Sequence, residues 1–347
     1  MKYAIFEEEY PNRMLPFSLT RPSFELIYRY RKILDWYREK LGNPAGYLLP
    51  ERFKEKYGSK YEAADFDLVI NSTLKPELLE KIFELKDGNS AYESGRLVAI
   101  KGSKKGSEKI PVKGYLLQGP WELVKSIENP PFTKSRIEGK LESCTIIDDS
   151  RGPIIIENNS QVEAFSKIVG PAYVSSGSKI SSARISGSFV GNGCRVGGEL
   201  ERSIVDSFTN KAHYGFIGDS YLGMHVNVGA GTTSSNLKNT YGIVKVKLGG
   251  STFYTGEIKI GTFLGDFSRI SINTSIMAGK MVGAAAYVQG VVNKNVKPFT
   301  FFNRKGNIEL IIEHTRRALG RRNMTLDRYL EAVIRNAYNL VWKGKVS

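Results

Sequence analysis

The residues best suited to chemistry lie close together, in the run NKAHYGFIGDSYLGMHVNVGAGTTSSNLKNTYG at positions 210–242. His213 is one of only three histidines in the chain, and imidazole accepts a proton near neutral pH more readily than any other side chain. Asn227 and Asn236 carry amides that can hold sugar hydroxyls or an acyl carbonyl. The glycines near them allow backbone N–H groups to approach a ligand. The run therefore predicts a general base beside a binding site for a polar small molecule, with a purely structural histidine as the alternative.

The element that must position these residues has a period of six. An α-helix would show a period of 3.6 and a simple strand a period of 2, whereas a period of six is typical of short strands joined by tight turns, with successive coils stacked. We therefore predict a left-handed parallel β-helix of hexapeptide repeats and assign residues 141–300 to it. The periodic aliphatics are Ile156, Val162, Ile168, Val174 and Ile180; then Phe216, Leu222 and Val228; then Ile258, Leu264, Ile270, Ile276, Val282 and Val288.

Two stretches interrupt this period, one near 185–204 and one at about 237–257. The second is more polar and more basic than its surroundings. Insertions in a solenoid project as loops, usually on a functional face, so both stretches are predicted to be loops.

The first 140 residues alternate between strand-like and helix-like patterns. KYAIFE near the start and DLVI at 67–70 are typical of buried strands. Apolar spacing predicts helices over Ser23–Leu41 and over 75–85. Strand followed by helix, repeated, indicates an α/β domain with a parallel sheet over residues 1–140.

Residues 301–347 return to helical spacing and are predicted to form C-terminal helices, with Thr325 as the N-cap of the last one. We interpret this segment as a cap that covers the end of the β-helix core.

The net charge of +15 favours phosphorylated small molecules over nucleic acid, because the chain contains no recognisable nucleic-acid motif. The two cysteines, Cys144 and Cys194, have neither metal-site nor disulfide-framework spacing. The first residues turn acidic where a signal peptide needs an apolar run, and the longest weakly polar run, 281–292, is too short for a bilayer. We expect a cytoplasmic protein with no membrane partner.

The run at 210–242 resembles the acetyltransferase domain of the bifunctional GlmU family, which carries K-x-x-H-x-x-Y-x-G-D, then N-I-G-A-G-T, then N-Y-D-G. His213 falls on the family histidine, Phe216 on the tyrosine, and Asn227 and Asn236 on the two asparagines, without gaps. Two longer stretches, VGGELERSIVDSFTNKAHYGFIGDSYLG and GAGTTSSNLKNTYGIVKV, resemble a variant GlmU-like group of sugar nucleotidyltransferases.

This resemblance implies acetyl transfer from acetyl-CoA to an amino-sugar 1-phosphate, at a site between the subunits of a homotrimer. It makes His213 the catalytic base and Asn236 the residue that holds the amine. Lys211, Phe216, Asn227 and Lys238 would bind substrate, and Lys245 and Lys247 are further candidates for its phosphates. This chain departs from the family at Asn210, where a Lys is expected, and at Phe216, which lacks the tyrosine hydroxyl.

The start of the chain resembles the nucleotidyltransferase domain of the same family. RMLPFS at 13–18 matches R-M-x-P-L-T, and Arg13, Thr20 and Arg21 become candidates for nucleotide binding. The phosphate-cradling glycines before Arg13 are missing. The strand that ends in a Mg²⁺-binding Asp in the family reaches Asn71-Ser72 here. The resemblance therefore implies a reduced domain, which would use Mg²⁺ only if it is active, and no other metal site.

Three functions stay open at this stage. The first is the acetyltransferase, the second is a sugar-1-phosphate nucleotidyltransferase that moves a uridylyl or thymidylyl group, and the third is a non-catalytic trimer that binds sugar nucleotides. A zinc enzyme on the same solenoid would need three histidine ligands, and the predicted solenoid contains only His213 and His225.

Overall fold

The computed structural model describes residues 1–10, 12–58, 62–102 and 108–343. Its first part is built on one six-stranded sheet. In spatial order the strands are Gly46–Leu48, Tyr3–Phe6, Leu68–Asn71, Arg96–Lys101, Ser90–Glu93 and Lys109–Pro111.

This sheet is mixed, so the prediction of a parallel sheet is wrong for the two pairs that Arg96–Lys101 makes. It is right for the first three strands and for the last pair, Ser90–Glu93 with Lys109–Pro111. Tyr3–Phe6 pairs in parallel with both of its neighbours, whereas Arg96–Lys101 runs antiparallel to both of its own. The antiparallel pairing of Arg96–Lys101 with Ser90–Glu93 follows from the connection Ser94-Gly95, where both residues have positive φ. A two-residue turn of this kind can join only antiparallel strands.

The helices of this part are shorter than predicted. The expected helix at Ser23–Leu41 begins only at Ile33, because Ile27–Tyr28 and Arg31–Lys32 form a hairpin with Arg29 and Tyr30 at positive φ. The expected helix at 75–85 is reduced to two short pieces. The α-helices are α1 (Ile33–Leu41), α2 (Lys54–Tyr57), α3 (Leu79–Ile82) and α4 (Pro120–Ser126), and the 3-10 helices are Ser23–Glu25, Glu51–Phe53, Ala63–Asp65 and Pro76–Leu78.

The second part is a parallel β-helix, as predicted, and each coil passes through three faces in the order B, A, C. Face B consists of Arg136–Ile137, Ile154–Ile156, Ala172–Val174, Phe189–Val190, Ile204–Val205, Tyr221–Leu222, Phe263–Leu264 and Met281–Val282. Face A consists of Lys140–Leu141, Gln161–Val162, Asn210–Lys211, Asn227–Val228, Arg269–Ile270, Tyr287–Val288 and Thr300–Phe301, closed by Arg304–Lys305. Face C consists of Ile146–Asp148, Lys167–Val169, Phe216–Gly218, Thr233–Ser234, Ser275–Ile276 and Val291–Val292. Two long strands, Lys179–Ser186 and Arg195–Glu201, run through faces A and C without a break.

The periodic aliphatics fill the interior of this β-helix, with two exceptions. Ile258 is 52% exposed in the insertion, and Phe216 lies half-buried on the outside while Ile217 occupies the interior. All the other periodic residues are buried in one continuous core.

The first predicted loop, at 185–204, does not exist. Positions 161, 179, 195 and 210 stack on one another in face A, so successive coils contain 18, 16 and 15 residues. The period is lost because the coils are shorter, and no chain projects. The second predicted loop is a true insertion, and it contains an antiparallel hairpin of Lys245–Leu248 and Ser251–Tyr254.

The first part packs against face B, because the outward side chains of that face are large and apolar. Phe17 contacts Tyr221 with ring centroids 4.4 Å apart, and Phe189 and Phe263 are buried in the same core cluster as the first sheet. The hairpin of the insertion extends this contact, since Val246 and Leu248 join that cluster.

The chain ends in two helices, α5 (Ile308–Gly320) and α6 (Arg328–Trp342). Their apolar faces cover the last coils through Ile311 and Ile334, which share a cluster with Phe299. The N-cap of α6 is Asp327, whose side chain accepts from the backbone N–H of Leu330 at 2.7 Å, so the prediction of Thr325 is wrong by two positions. Within the described ranges, none of these helices combines the length and the apolar character that crossing a bilayer requires.

Candidate functional site

His213 lies at the corner where the chain leaves face A and enters face C. The strand Asn210–Lys211 precedes it and Phe216–Gly218 follows it. Its side chain is exposed, and its neighbour Tyr214 is 67% exposed. The imidazole can therefore be reached from solvent, as a general base must be.

Lys211 does not face a ligand, which corrects its prediction as a substrate-binding residue. It is 1% exposed, and its Nζ donates to the carbonyl of Gly197 at 2.8 Å and to that of His213 at 2.6 Å. Burial lowers the pKa of Lys211 to about 8. Side chains alternate between the two sides of a strand. Since the side chain of Asn210 points outward, that of the next residue, Lys211, points into the β-helix. Its role is to hold the backbone at His213.

Asn236 lies at the next corner, where face C gives way to face B. Its Nδ2 donates to Oδ2 of Asp219 at 2.5 Å, and Asp219 accepts two hydrogen bonds from Arg202, at 2.7 and 2.9 Å. Because a carboxylate only accepts, this contact fixes the orientation of the amide and leaves Oδ1 of Asn236 as an acceptor. Asp219 and Arg202 were not among the predicted site residues, although Asp219 closes the GFIGD run that carries the resemblance.

Phe216 is the predicted residue that the structure brings next to Asn236. A Cβ at Gly218 would lie 2.5 Å from Cζ of Phe216 and 2.7 Å from Nδ2 of Asn236. Only glycine therefore allows the aromatic ring and the amide to lie side by side on face C.

His213 and Asn236 occupy opposite corners of face C. The strand Phe216–Gly218 lies between the two corners. Within one chain, the two predicted catalytic residues therefore lie on opposite edges of face C. Asn227 is on another face: it lies on face A, where its Oδ1 accepts from Nδ2 of Asn210 at 3.0 Å.

Lys238 belongs to the insertion rather than to a coil. Its Nζ donates to the carbonyl of Ile243 at 2.6 Å, within the same loop. The structure places neither Lys238 nor Asn227 in contact with His213.

Thr20 and Arg21 connect the two parts of the molecule, which corrects their prediction as nucleotide-binding residues. Thr20 donates to Asp266 at 2.8 Å, and Arg21 forms ion pairs with Asp206 at 2.7 Å and Asp266 at 3.1 Å. All of these groups are buried. Because these side chains are buried and bound to the carboxylates of the β-helix, they are not available to a nucleotide.

Arg13 lies at the carboxyl edge of the first sheet, beside a cavity of about 300 Å³. Its guanidinium stacks on Phe253 of the inserted hairpin, 4.2 Å from the ring centroid. Burial and the nearby Arg96 lower the pKa of Arg13. Arg96 itself binds Glu8 in a bidentate ion pair, at 2.8 and 2.9 Å. The hairpin and this ion pair occupy the edge at which a nucleotide would bind.

The end of the strand Leu68–Asn71 does not fit Mg²⁺. Asn71 donates to the carbonyl of Leu97 at 2.7 Å, and Ser72 supplies no carboxylate. In the described part of the chain, no three His, Cys, Asp or Glu side chains come together in a group that could hold a metal ion.

Comparison with known proteins supports both halves of the resemblance. Residues 3–139 match a family model described as sugar nucleotidyl transferase. The chain is 36% identical over 106 residues to the bifunctional sugar-1-phosphate nucleotidylyltransferase/acetyltransferase of Sulfurisphaera tokodaii, which is 30% of this chain and 26% of that protein. It is 31% identical over 173 residues to the bifunctional protein GlmU of Synechococcus elongatus, 48% of this chain and 30% of that one.

A longer match joins this chain to the GlmU protein of Methanocaldococcus jannaschii, at 26% identity over 251 residues, 66% of this chain and 59% of that protein. The resemblance to GlmU-type bifunctional proteins that the motifs indicate is thereby confirmed. This chain spans between 26% and 59% of the length of these three relatives.

Proposed function

We propose that this chain is an N-acetyltransferase that moves the acetyl group of acetyl-CoA to the amine of an amino-sugar 1-phosphate. The observation that carries the proposal is the exposed imidazole of His213 at a corner of the β-helix, one face away from the oriented amide of Asn236. The name of the similar protein from Sulfurisphaera tokodaii, which combines nucleotidylyltransferase with acetyltransferase, supports it.

The proposed reaction uses these two groups in one step. His213 takes a proton from the substrate amine, whose nitrogen attacks the thioester carbonyl. The C–S bond then breaks, the acetyl group stays on nitrogen, and the thiolate of coenzyme A takes the proton from the imidazolium. Oδ1 of Asn236 accepts a hydrogen bond from the same amine and aligns it, because Asp219 holds the amide in the required orientation.

We further propose that the complete site forms between neighbouring chains of a homotrimer. One chain would supply the corner with His213 and its neighbour the corner with Asn236, since the two corners of a single chain lie on opposite edges of face C. Exposed apolar side chains along the His213 corner support such a contact: Phe165 is 80% exposed, and Tyr214 and Ile272 are each 67% exposed.

Release of the coenzyme A thiol from acetyl-CoA and glucosamine 1-phosphate, followed with a thiol reagent, tests the activity. Turnover is expected with this substrate or with another amino-sugar 1-phosphate. No release with any of them would exclude the acetyltransferase and favour a trimer that only binds sugar nucleotides.

A mixing experiment tests the shared site. Chains with His213→Ala and chains with Asn236→Ala are each expected to be inactive. Unfolded together and refolded as mixed trimers, they should recover about a quarter of the wild-type rate, because one interface in four would combine an intact His213 with an intact Asn236. No recovery, with normal trimers in the mixture, would place both residues in one chain's site.

We do not propose nucleotidyl transfer for the first part. Of its three candidate residues, Thr20 and Arg21 bind the β-helix, and Arg13 stacks on the inserted hairpin. Mg²⁺-dependent pyrophosphate release from UTP or dTTP with a sugar 1-phosphate is expected to be absent.

A further inference from the structure

A second cleft lies on face A, between the strands of the β-helix and helix α5, and has a volume of about 550 Å³. Its floor is the outward row of side chains from successive coils, and its wall is one side of α5 together with the two residues that follow the helix. The floor is formed by Arg195, Asn210, Asn227, Arg269 and Tyr287, and the wall by His314, Arg317, Arg321 and Arg322.

The cleft collects positive charge with little compensation. Five arginines line it, and no lining residue is an Asp or a Glu. Arg317 pairs with Glu313, whereas Arg195, Arg269, Arg321 and Arg322 have no carboxylate partner among the described residues. Like charges held this close repel one another, so such a cluster without carboxylates is a place for a bound anion.

The most enclosed of these arginines is Arg269. Arg269 is half-buried, and its guanidinium donates to the carbonyl of His225 at 3.0 Å and also contacts the hydroxyl of Tyr287. These two contacts fix the guanidinium in place and use only part of its five N–H donors. Burial, together with Arg269 and Arg322, lowers the pKa of His225 to about 4. The cleft is therefore electropositive at neutral pH without a charge on this histidine.

Neutral donors complete the lining. Asn210 donates to Asn227, so the Nδ2 of Asn227 remains available to a ligand, and the hydroxyl of Tyr287 is bonded to Nδ1 of His314 at 2.9 Å. Guanidinium groups bind phosphate oxygens in pairs, and a volume of this size suits a small-molecule ligand.

We propose that this cleft binds the phosphate groups of a nucleotide-type ligand, either coenzyme A or a nucleoside diphosphate sugar, which share a diphosphate ester. Asn210 lies three positions before His213, so the cleft adjoins the corner assigned to acetyl transfer. The ligand class rests on the proposed function, but the binding itself can be measured without turnover.

Isothermal titration calorimetry on the full chain tests this site with three probes: coenzyme A, UDP-N-acetylglucosamine and inorganic pyrophosphate. At least one should bind, with an affinity that falls as salt is added. Tighter binding of coenzyme A than of the other probes would assign the cleft to the donor. Tighter binding of the sugar nucleotide would assign it to a nucleotide sugar, and equal binding of pyrophosphate to the phosphates alone.

Two variants and a control make the result specific. Arg269→Gln should weaken binding at least about tenfold, and so should the double variant Arg195→Gln/Arg321→Gln, whose two positions are exposed and tolerate the change without unfolding. Arg151→Gln, at an exposed arginine outside the cleft, should bind as the wild type does.

The site is refuted if none of the probes binds at millimolar concentration, or if both cleft variants bind as tightly as the control. Failure of acetyl transfer gives a different pattern. In that case no thiol would be released by any chain, while the titrations would still separate the cleft variants from Arg151→Gln.

Discussion

In the first part of the molecule, the charged residues of the predicted nucleotide site are bound to one another or to the β-helix. On the β-helix itself, polar residues of the predicted site and of the cleft on face A face solvent. Arg21 lies between Asp206 and Asp266, and Arg96 holds Glu8. His213 is exposed, and Arg195 has no carboxylate partner in the described ranges. Both regions resemble known active sites in sequence, but only the second keeps its polar groups available for a ligand.

The difference follows from what each region packs against. The first part covers face B and uses its own polar residues to make that contact, and the inserted hairpin closes its edge with Phe253 over Arg13. A residue that matches a family motif can therefore stabilise the fold without contacting a ligand. The predictions below test this division between structural and available groups.

The largest effect is expected at His213. His213→Ala should lower the rate of thiol release by about a hundredfold to ten-thousandfold, because it removes the general base. The melting temperature should not change, since the side chain is exposed. Tyr214→Phe, at the neighbouring exposed position, should keep the wild-type rate. If a His213→Ala chain retained most of its activity, His213 would not be the general base. The β-helix would then lack the catalytic group that is proposed to distinguish it from the first part.

Arg21→Ala should lower the free energy of unfolding by about 3–5 kcal/mol, measured by urea denaturation. The substitution leaves Asp206 and Asp266 buried without their cation. Arg316→Ala removes an exposed ion pair with Glu331 and should cost less than about 1 kcal/mol. If Arg21→Ala were no more costly than this control, Arg21 would not be the structural residue we describe.

The stability of the β-helix should depend on pH through His225. Its pKa is about 4 in the folded chain and about 6.5 when unfolded, so only the unfolded chain takes up a proton between these values. This contribution to stability is complete above about pH 6.5 and is lost as the pH falls towards 4.

His225→Phe should remove that dependence, which amounts to about 2 kcal/mol between pH 7 and pH 5. Phe keeps the stack, since the His225 ring lies 5.1 Å from Phe208 and 5.2 Å from Phe267. Urea unfolding of both chains at pH 7 and pH 5 measures it. An identical loss of stability in the two proteins would show that other groups cause it.

The smallest effect is expected at Arg13. Arg13→Gln should leave thiol release within about twofold of the wild type, because Arg13 contacts the hairpin and not the corner at His213. A wild-type chain that releases pyrophosphate, together with an Arg13→Gln chain that does not, would show that the edge of the first sheet is active. The two regions would then not differ as we propose.

The six-residue repeat makes the fold of the second part predictable from the sequence alone. A six-residue period predicts the β-helix because every coil makes the same inward contact with the next, as Ile156 and Val174 do. The helical spacing of residues after 305 predicts α5 and α6 for the same local reason. The exposure of His213 is consistent with its motif, although its catalytic role is still a prediction.

Only the tertiary structure decided which polar residues are available. Arg21 pairs with residues 185 and 245 positions away, and no local pattern records such distant partners. The direction of Lys211 depends on where one short strand begins, because a shift of one residue exchanges the inside and the outside of the coil. The cleft at Arg269 likewise requires α5 to fold back on face A, which brings together residues from separate coils and from the end of the chain.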